Sequence, residues 1–219
     1  IAASRPSKLR DLEAQGAALC SRALGDTLDL LRETGLEDQI SQEGCLSLYA
    51  DEVEFKDDRE HIEILERFGF PHEVIGRQAI KALEPELSDK IGMAVLFPQN
   101  RSMKDPYKLV LALAAQFVAL GGRIESGEVV GFVRSDRMRE VVLTDGRKLP
   151  ADEVVICAGA YSAKLARDLG EPIPLETERG YHTQIMAPGI SMKHSIIWPA
   201  KAFMVTPTAG GIRVGGTVE

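Results

Sequence analysis

The stretch Asp152–Ser162, DEVVICAGAYS, constrains the fold of this chain more than any other. Val154-Val155-Ile156-Cys157 is a short apolar, mostly β-branched run that stops at Ala158-Gly159-Ala160, and an apolar-periodic pattern from Ser162 to Leu169 follows at once. That order predicts a buried strand, a tight turn of small residues and a helix start. Two uses of such a turn stay open. Gly159 can simply close a short strand-to-helix connection, or the small residues can let backbone approach a ligand, with the helix start suited to a phosphate.

Around this unit the chain alternates helical and extended patterns. Ser4 to Thr34 predicts a packing helix, with Ser4 as N-cap, Pro6 in the first turn, Leu9, Leu12, Leu19, Leu24, Leu28 and Leu31 at helical spacing, and Gly35 as its stop. Gly44 to Ala50 alternates as a half-buried strand does. The acidic stretch from Asp51 to Glu66 predicts a solvated helix opened by Asp57 or Asp58. A short strand at Val74-Ile75, a helix to Leu83 stopped by Glu84-Pro85, and a strand over Gly92 to Phe97 follow. Asp105-Pro106 predicts the start of a helix over Tyr107 to Leu120, closed by Gly121-Gly122. From there the pattern is β: Arg123 to Glu125, Glu128 to Val133, Glu140 to Thr144, the turn at Asp145-Gly146, and Glu153 to Cys157. Beyond the central unit come Thr177 to Met186, Ser195 to Trp198, and a hairpin of Ala202–Thr206 and Ile212–Val218 turned at Gly210-Gly211. The fold class expected is α+β, a mixed antiparallel sheet with helices.

Composition excludes several classes. The chain carries 26 Lys and Arg against 33 Asp and Glu, a net charge of −7, with no basic run, so nucleic acid is not expected as a partner. The apolar run Leu109 to Leu120 is too short to span a bilayer and contains Gln116, and no leader pattern opens the chain; a soluble, cytoplasmic protein is expected. Cys20, Cys45 and Cys157 are far apart and predict reduced, buried thiols. No G-x-S-x-G, phosphate loop or paired C-x-x-C is present, and His72-Glu73 lacks the second histidine of a zinc-protease helix. The scattered His61, His72, His182 and His194 predict no metal site. No G-x-G-x-x-G follows a strand, so these 219 residues hold no complete dinucleotide fingerprint.

Four stretches together resemble the flavoprotein family that contains D-amino acid oxidase, glycine oxidase and the D-amino acid dehydrogenases. They are Lys104-Asp-Pro-Tyr107 with Leu120-Gly-Gly-Arg-Ile124, Val154 to Ser162, Pro174-Leu-Glu-Thr-Glu-Arg-Gly-Tyr-His182, and Phe203-Met-Val-Thr-Pro207 with Ile212 to Glu219. The family's fingerprint unit lies at its extreme N-terminus, and a second glycine-rich segment and a carboxylate-binding arginine lie toward its C-terminus. Ile1-Ala2-Ala3 resembles the segment after the first βαβ unit, and Thr217-Val218-Glu219 a strand end well before the family's C-terminus. The resemblance therefore implies an internal fragment, with residues 1–40 and 104–166 from the middle of an FAD-binding domain and 41–103 and 167–219 from a substrate-binding domain.

It also implies roles. Val129 matches the residue whose backbone meets the adenine, and Ala158, Gly159 and Ala160 the turn packed against ribose and pyrophosphate. Arg179, Tyr181, His182, Trp198, Phe203 and Met204 are the implied substrate-side residues, although glycine oxidase relatives have a tyrosine near the position of Met204. The implied activity is oxidation of an amino acid or secondary amine, first of all a D-amino acid, by hydride transfer to the flavin N5 of FAD. Two other readings remain: a relative acting on a hydroxy acid or polyol phosphate, and a non-catalytic binding module of the same fold. Peripheral membrane contact through a respiratory acceptor stays open, as does oligomeric state.

Overall fold

A computed structural model describes residues 6–134 and 139–219. Ser4 and Ile1-Ala2-Ala3 lie outside them. In chain order the elements are α1 (Pro6–Thr34), β1 (Cys45–Tyr49), α2 (Glu52–Asp57), α3 (Arg59–Phe68), β2 (Glu73–Gly76), α4 (Arg77–Leu83), β3 (Met93–Phe97) and α5 (Pro106–Ala119). They continue with β4 (Val129–Arg134), β5 (Arg139–Leu143), β6 (Lys148–Ala151), α6 (Ser162–Asp168), β7 (Gly180–Ile185), β8 (Ser195–Trp198), β9 (Phe203–Thr208) and β10 (Gly211–Val218). The α+β class expected from the pattern is present.

Two compact units divide the chain, one of residues 1–116 and 180–218, the other of 117–179 with Glu219. The first is built on a seven-stranded sheet of order β2-β3-β1-β8-β9-β10-β7. All neighbours are antiparallel except β1 and β8, which run parallel with Cys45 opposite Ser195. The expectation of a half-buried β1 is corrected: all five residues are buried. Leu46 and Leu48 pack with Ile75, Ile80, Ile91, Ala94 and Ile196, while Cys45 and Tyr49 pack with Ile62, Val95 and Phe97, so both faces of the strand are covered. The Tyr49 hydroxyl reaches the Asp58 carboxylate at 2.7 Å.

Local chemistry sets the element ends. Gly35 stands at φ +66°, and the bonds from its N–H to Arg32 O and from Leu36 N–H to Leu31 O stop α1. Asp105 accepts from Lys108 N–H at 3.0 Å and opens α5 as expected. The acidic stretch is two helices rather than one. Asp51 caps the first through Val53 and Glu54 N–H, and Asp58 stands at the N-cap position of α3, the expected opening of the helix that carries Ile62, Leu65 and Phe68, though its side chain makes no cap bond. Gly211 closes the β9–β10 hairpin at φ +121°, where a Cβ would lie 2.1 Å from Ile185 O.

The stripe on α1 is only partly used. Leu31 is buried with Leu36 and Ile40, and Leu24 and Leu28 pack against them, but Leu9, Leu12 and Leu19 are exposed. Glu84 is buried at the end of α4. Its Oε1 accepts from Lys193 N–H at 2.9 Å and His194 N–H at 2.7 Å and lies 2.8 Å from His194 Nδ1, tying the loop before β8 to the core.

In the second unit β4, β5 and β6 form an antiparallel sheet with a bulge between Val129 and Gly131. The strand after the Asp145-Gly146 turn is Lys148–Ala151. Glu153 to Cys157 forms no strand, and neither does Arg123 to Glu125. No described strand stands beside either segment, and an extended run without a ladder partner has nothing to bond its backbone. The thiols depart from expectation for the same reason of missing cover: Cys45 is buried, but Cys20 and Cys157 are exposed.

Candidate functional site

Strand pairing sorts the expected substrate-side residues into groups. His182 stands opposite Gly215, Gly215 opposite Met204, Met204 opposite Ile197, and Ile197 beside Ser47, one row across five strands. Directly opposed residues share a face, so His182 and Met204 lie on the same face with Ile197 and Ser47. Trp198 opposes Phe203 on the other face, their rings 6.1 Å apart. The Trp198 indole N–H donates to Glu54 Oε2 at 2.9 Å. That carboxylate also accepts from Ala50 N–H at 2.8 Å, and these bonds hold it below the ordinary glutamate range. Tyr181, adjacent to His182 on the edge strand β7, takes the face opposite to it. Arg179 lies just before that strand and pairs with Glu219, 3.4 Å away, both side chains exposed.

The Met204 face is the floor of a cavity of about 810 Å³. Ser47, Ser195, Ile197, Met204 and Thr206 rise from the sheet, residues of α1 from Cys20 to Thr27 form one wall, and the loop Gln99–Met103 another. Met204 is 46% exposed and Ile197 36%, large apolar side chains held at an open surface. Ser195 Oγ donates to Ser102 Oγ at 2.9 Å, which joins the floor to the loop. Of the cavity's residues the family resemblance names Met204, and neither it nor the sequence pattern singles out Ile197, Ser195, Ser47 or Arg101. Alternation along Ser195–Trp198 puts Ser195 and Ile197 on one face, a signal that becomes usable only once Ile197 is known to oppose Met204.

The residues that the resemblance assigns to the cofactor lie in the second unit. Val129 is half-buried at the start of β4, opposite Leu143. Ala158 precedes a turn of 3₁₀ helix, Gly159–Tyr161, that leads into α6. Gly159 takes φ +53°, and a Cβ built on it would meet nothing within 4 Å. The turn is thus a left-handed, small-residue surface whose backbone is open to approach. That fits the flank of a dinucleotide, where contact is made to main chain rather than to side chains. Among the described residues no group of three His, Cys, Asp or Glu is arranged for a metal, and no helix is long and apolar enough to cross a membrane.

Residues 3–219 match the family model described as DAO, FAD dependent oxidoreductase. The chain belongs to this family of FAD-dependent oxidoreductases. It is 29% identical over 211 residues to the D-amino-acid oxidase of Bradyrhizobium diazoefficiens, covering 96% of this chain and 48% of that protein. It is 30% identical over 198 residues to the D-amino acid dehydrogenase of Rhizobium johnstonii, covering 87% of this chain and 47% of that one. Among solved structures, the glycine oxidase of Geobacillus kaustophilus superposes with a TM-score of 0.78 at 23% identity, over 93% of this chain and 55% of that one, a likeness of fold. The chain spans about half the length of the curated relatives it matches.

Proposed function

We propose that the whole protein of which this DAO-family chain is part is an enzyme that oxidises the Cα–N bond of an amino acid or secondary amine, with D-amino acids as its main substrates. The observation that carries the reading is the open Met204 face. It floors a cavity of ligand size with apolar and hydroxyl side chains. Such a surface orients a substrate and sheds water, which suffices where the cofactor carries the chemistry. The names of the two relatives, a D-amino-acid oxidase and a D-amino acid dehydrogenase, support the amino acid class.

FAD when bound supplies hydride acceptance at flavin N5. The chain's own contribution is positional. Val129, Ala158, Gly159 and Ala160 border the cofactor, and His182, Met204 and Ile197 form the wall a substrate side chain would meet. Trp198 and Phe203 pack on the opposite face of that sheet, and Tyr181 lies on the edge strand beside His182. In functional terms residues 1–40 and 104–166 serve the cofactor and 41–103 and 167–219 the substrate.

The test is anaerobic absorbance of the full-length protein during additions of paired D- and L-amino acids and then hydroxy acids. Bleaching of the flavin by D-amino acids is the expected result. Bleaching by hydroxy acids alone would replace the reading with oxidation of an alcohol, and absence of flavin would end it.

A further inference from the structure

A buried carboxylate stands behind the cavity floor without touching the cavity. Glu84 is 1% exposed and His194 6%, and neither belongs to the lining. Three donors converge on Glu84 Oε1: Lys193 N–H at 2.9 Å, His194 N–H at 2.7 Å and the imidazole Nδ1 at 2.8 Å. A carboxylate only accepts, so Nδ1 carries the hydrogen, and three donors on one oxygen suit a negative charge better than a neutral group. Holding that charge in the interior is a poor route to stability, since apolar residues of similar volume serve as well or better. What the carboxylate supplies is position. Its own backbone is fixed by the bond from Glu84 N–H to Ile80 O at 2.8 Å, so the start of β8 is pinned to the end of α4.

The pinning reaches the cavity through the residues that follow. Ser195 comes next after His194, stands beside Cys45 in the parallel pairing, and donates from Oγ to Ser102 Oγ at 2.9 Å. Ser102 N–H donates to Ser41 Oγ at 2.9 Å, and Ser41 N–H to Ser102 O at 2.8 Å. A continuous line of covalent and hydrogen bonds thus runs from Glu84 through the floor to the loop Gln99–Met103 and the segment before β1. Ile197, two residues further along β8, opposes Met204.

We propose that Glu84 is a positioning residue for the cavity: through Lys193 and His194 its carboxylate holds Ser195, Ile197 and the loop Gln99–Met103 in the one arrangement that a substrate binds. Without the charge, the start of β8 samples other positions, and only a fraction of the molecules presents the complete cavity. Affinity falls by that fraction. The rate of the bound complex does not, because a bound substrate has already selected the complete arrangement. The proposal rests on the amino acid oxidoreductase reading for its choice of ligand.

The experiment uses the full-length protein, with D-alanine as substrate and backbone hydrogen exchange as a readout independent of activity. Glu84→Gln keeps the shape of the side chain and removes its charge. It is expected to speed exchange across residues 193–198 and 99–103 by about tenfold or more and to leave residues 93–97 of β3 nearly unchanged. In anaerobic reduction of the flavin it is expected to raise the Kd for D-alanine by about fivefold or more, while the limiting rate stays within about twofold. His194→Asn, whose amide replaces the Nδ1 donor, is expected to remain close to the unsubstituted protein in both readouts. His194→Leu is expected to show the Glu84→Gln pattern at smaller amplitude, and serves if the glutamine variant does not fold. Exchange faster by the same factor at 93–97 makes Glu84 a residue of general stability and overturns the proposal. So does a folded Glu84→Gln protein whose Kd for D-alanine is unchanged. The two readings fail separately. A protein whose flavin no amino acid bleaches loses the oxidation reading, and the exchange pattern alone then decides the role of Glu84. Bleaching by D-alanine with exchange uniformly faster across all three segments keeps the activity and sinks the positioning role.

Discussion

The two compact units meet the same physical demand with opposite success. In the first, β1 has β3 on one side and β8 on the other, and every one of its residues is buried. In the second, the run Val154–Cys157 is at least as apolar, yet Val155 is 83% exposed and the segment joins no sheet. Only Leu143, Leu165 and Ala166 are buried among that unit's described residues. Strand propensity alone does not bury a strand. Burial follows when neighbours take up the backbone donors and acceptors and so allow the side chains to be covered.

Substitution breaks this comparison most sharply in the core. Leu46→Ala removes a side chain with no exposure from the sheet interior and is expected to cost about 2–5 kcal/mol in urea unfolding. Val155→Ala in this chain is expected to stay within about 0.5 kcal/mol. A cost above about 1 kcal/mol for the same change in the full-length protein would indicate that strand partners outside this chain bury Val155 there.

The next effect is one of pH. Burial pushes the Cys45 thiol up from 9.0 to about 11, against a weaker opposing bond from the Leu46 backbone. A folded-state value above the unfolded one means that the native state keeps its proton while the unfolded chain loses it. The associated stability is complete below about pH 9 and is lost as pH rises toward 11, a fall of about 2–3 kcal/mol. Burial and then the Asp58 carboxylate push Tyr49 the same way, so the fall continues above the ordinary tyrosine range. Unfolding midpoints across this window should flatten in Cys45→Ala. In the native chain Cys20 and Cys157 are expected to react with a thiol reagent at once, and Cys45 only on unfolding.

What the sequence disclosed and what it withheld divide along the same line. Ser195–Trp198 has the bounds its apolar run implies, and Gly210-Gly211 marks the hairpin because only glycine tolerates the approach to Ile185 O. Such features depend on neighbours in the chain. The stripe on α1 names the face that seeks cover but not how far a partner extends, which is why Leu31 is buried and Leu19 is not. The parallel pairing of Cys45 with Ser195 is long-range, and from it follow the cavity and the separation of Met204 from Trp198. Arg101 lies in an irregular loop without periodicity, so no pattern singled it out. The run ending at Ala158-Gly159-Ala160 marks the turn in the sequence pattern, while its expected place beside a cofactor comes from the family resemblance alone.

The smallest expected effect bears on that turn. Gly159 at φ +53° and Gly146 at φ +85° both occupy the left-handed region, and a Cβ on either would meet nothing within 4 Å. Alanine at each position should therefore cost only backbone strain, about 1 kcal/mol, visible as matched shifts in unfolding midpoint. Matched strain makes Gly146→Ala a control for cofactor binding. In the full-length protein, fluorescence titration with FAD is expected to find affinity lowered by about tenfold or more in Gly159→Ala and little altered in Gly146→Ala, since a methyl group at a close approach costs more than strain. Equal affinities in the two variants would reduce Gly159 to a residue that turns the chain into α6. The left-handed conformation of Gly159 would then belong to the unit's folding and not to its function.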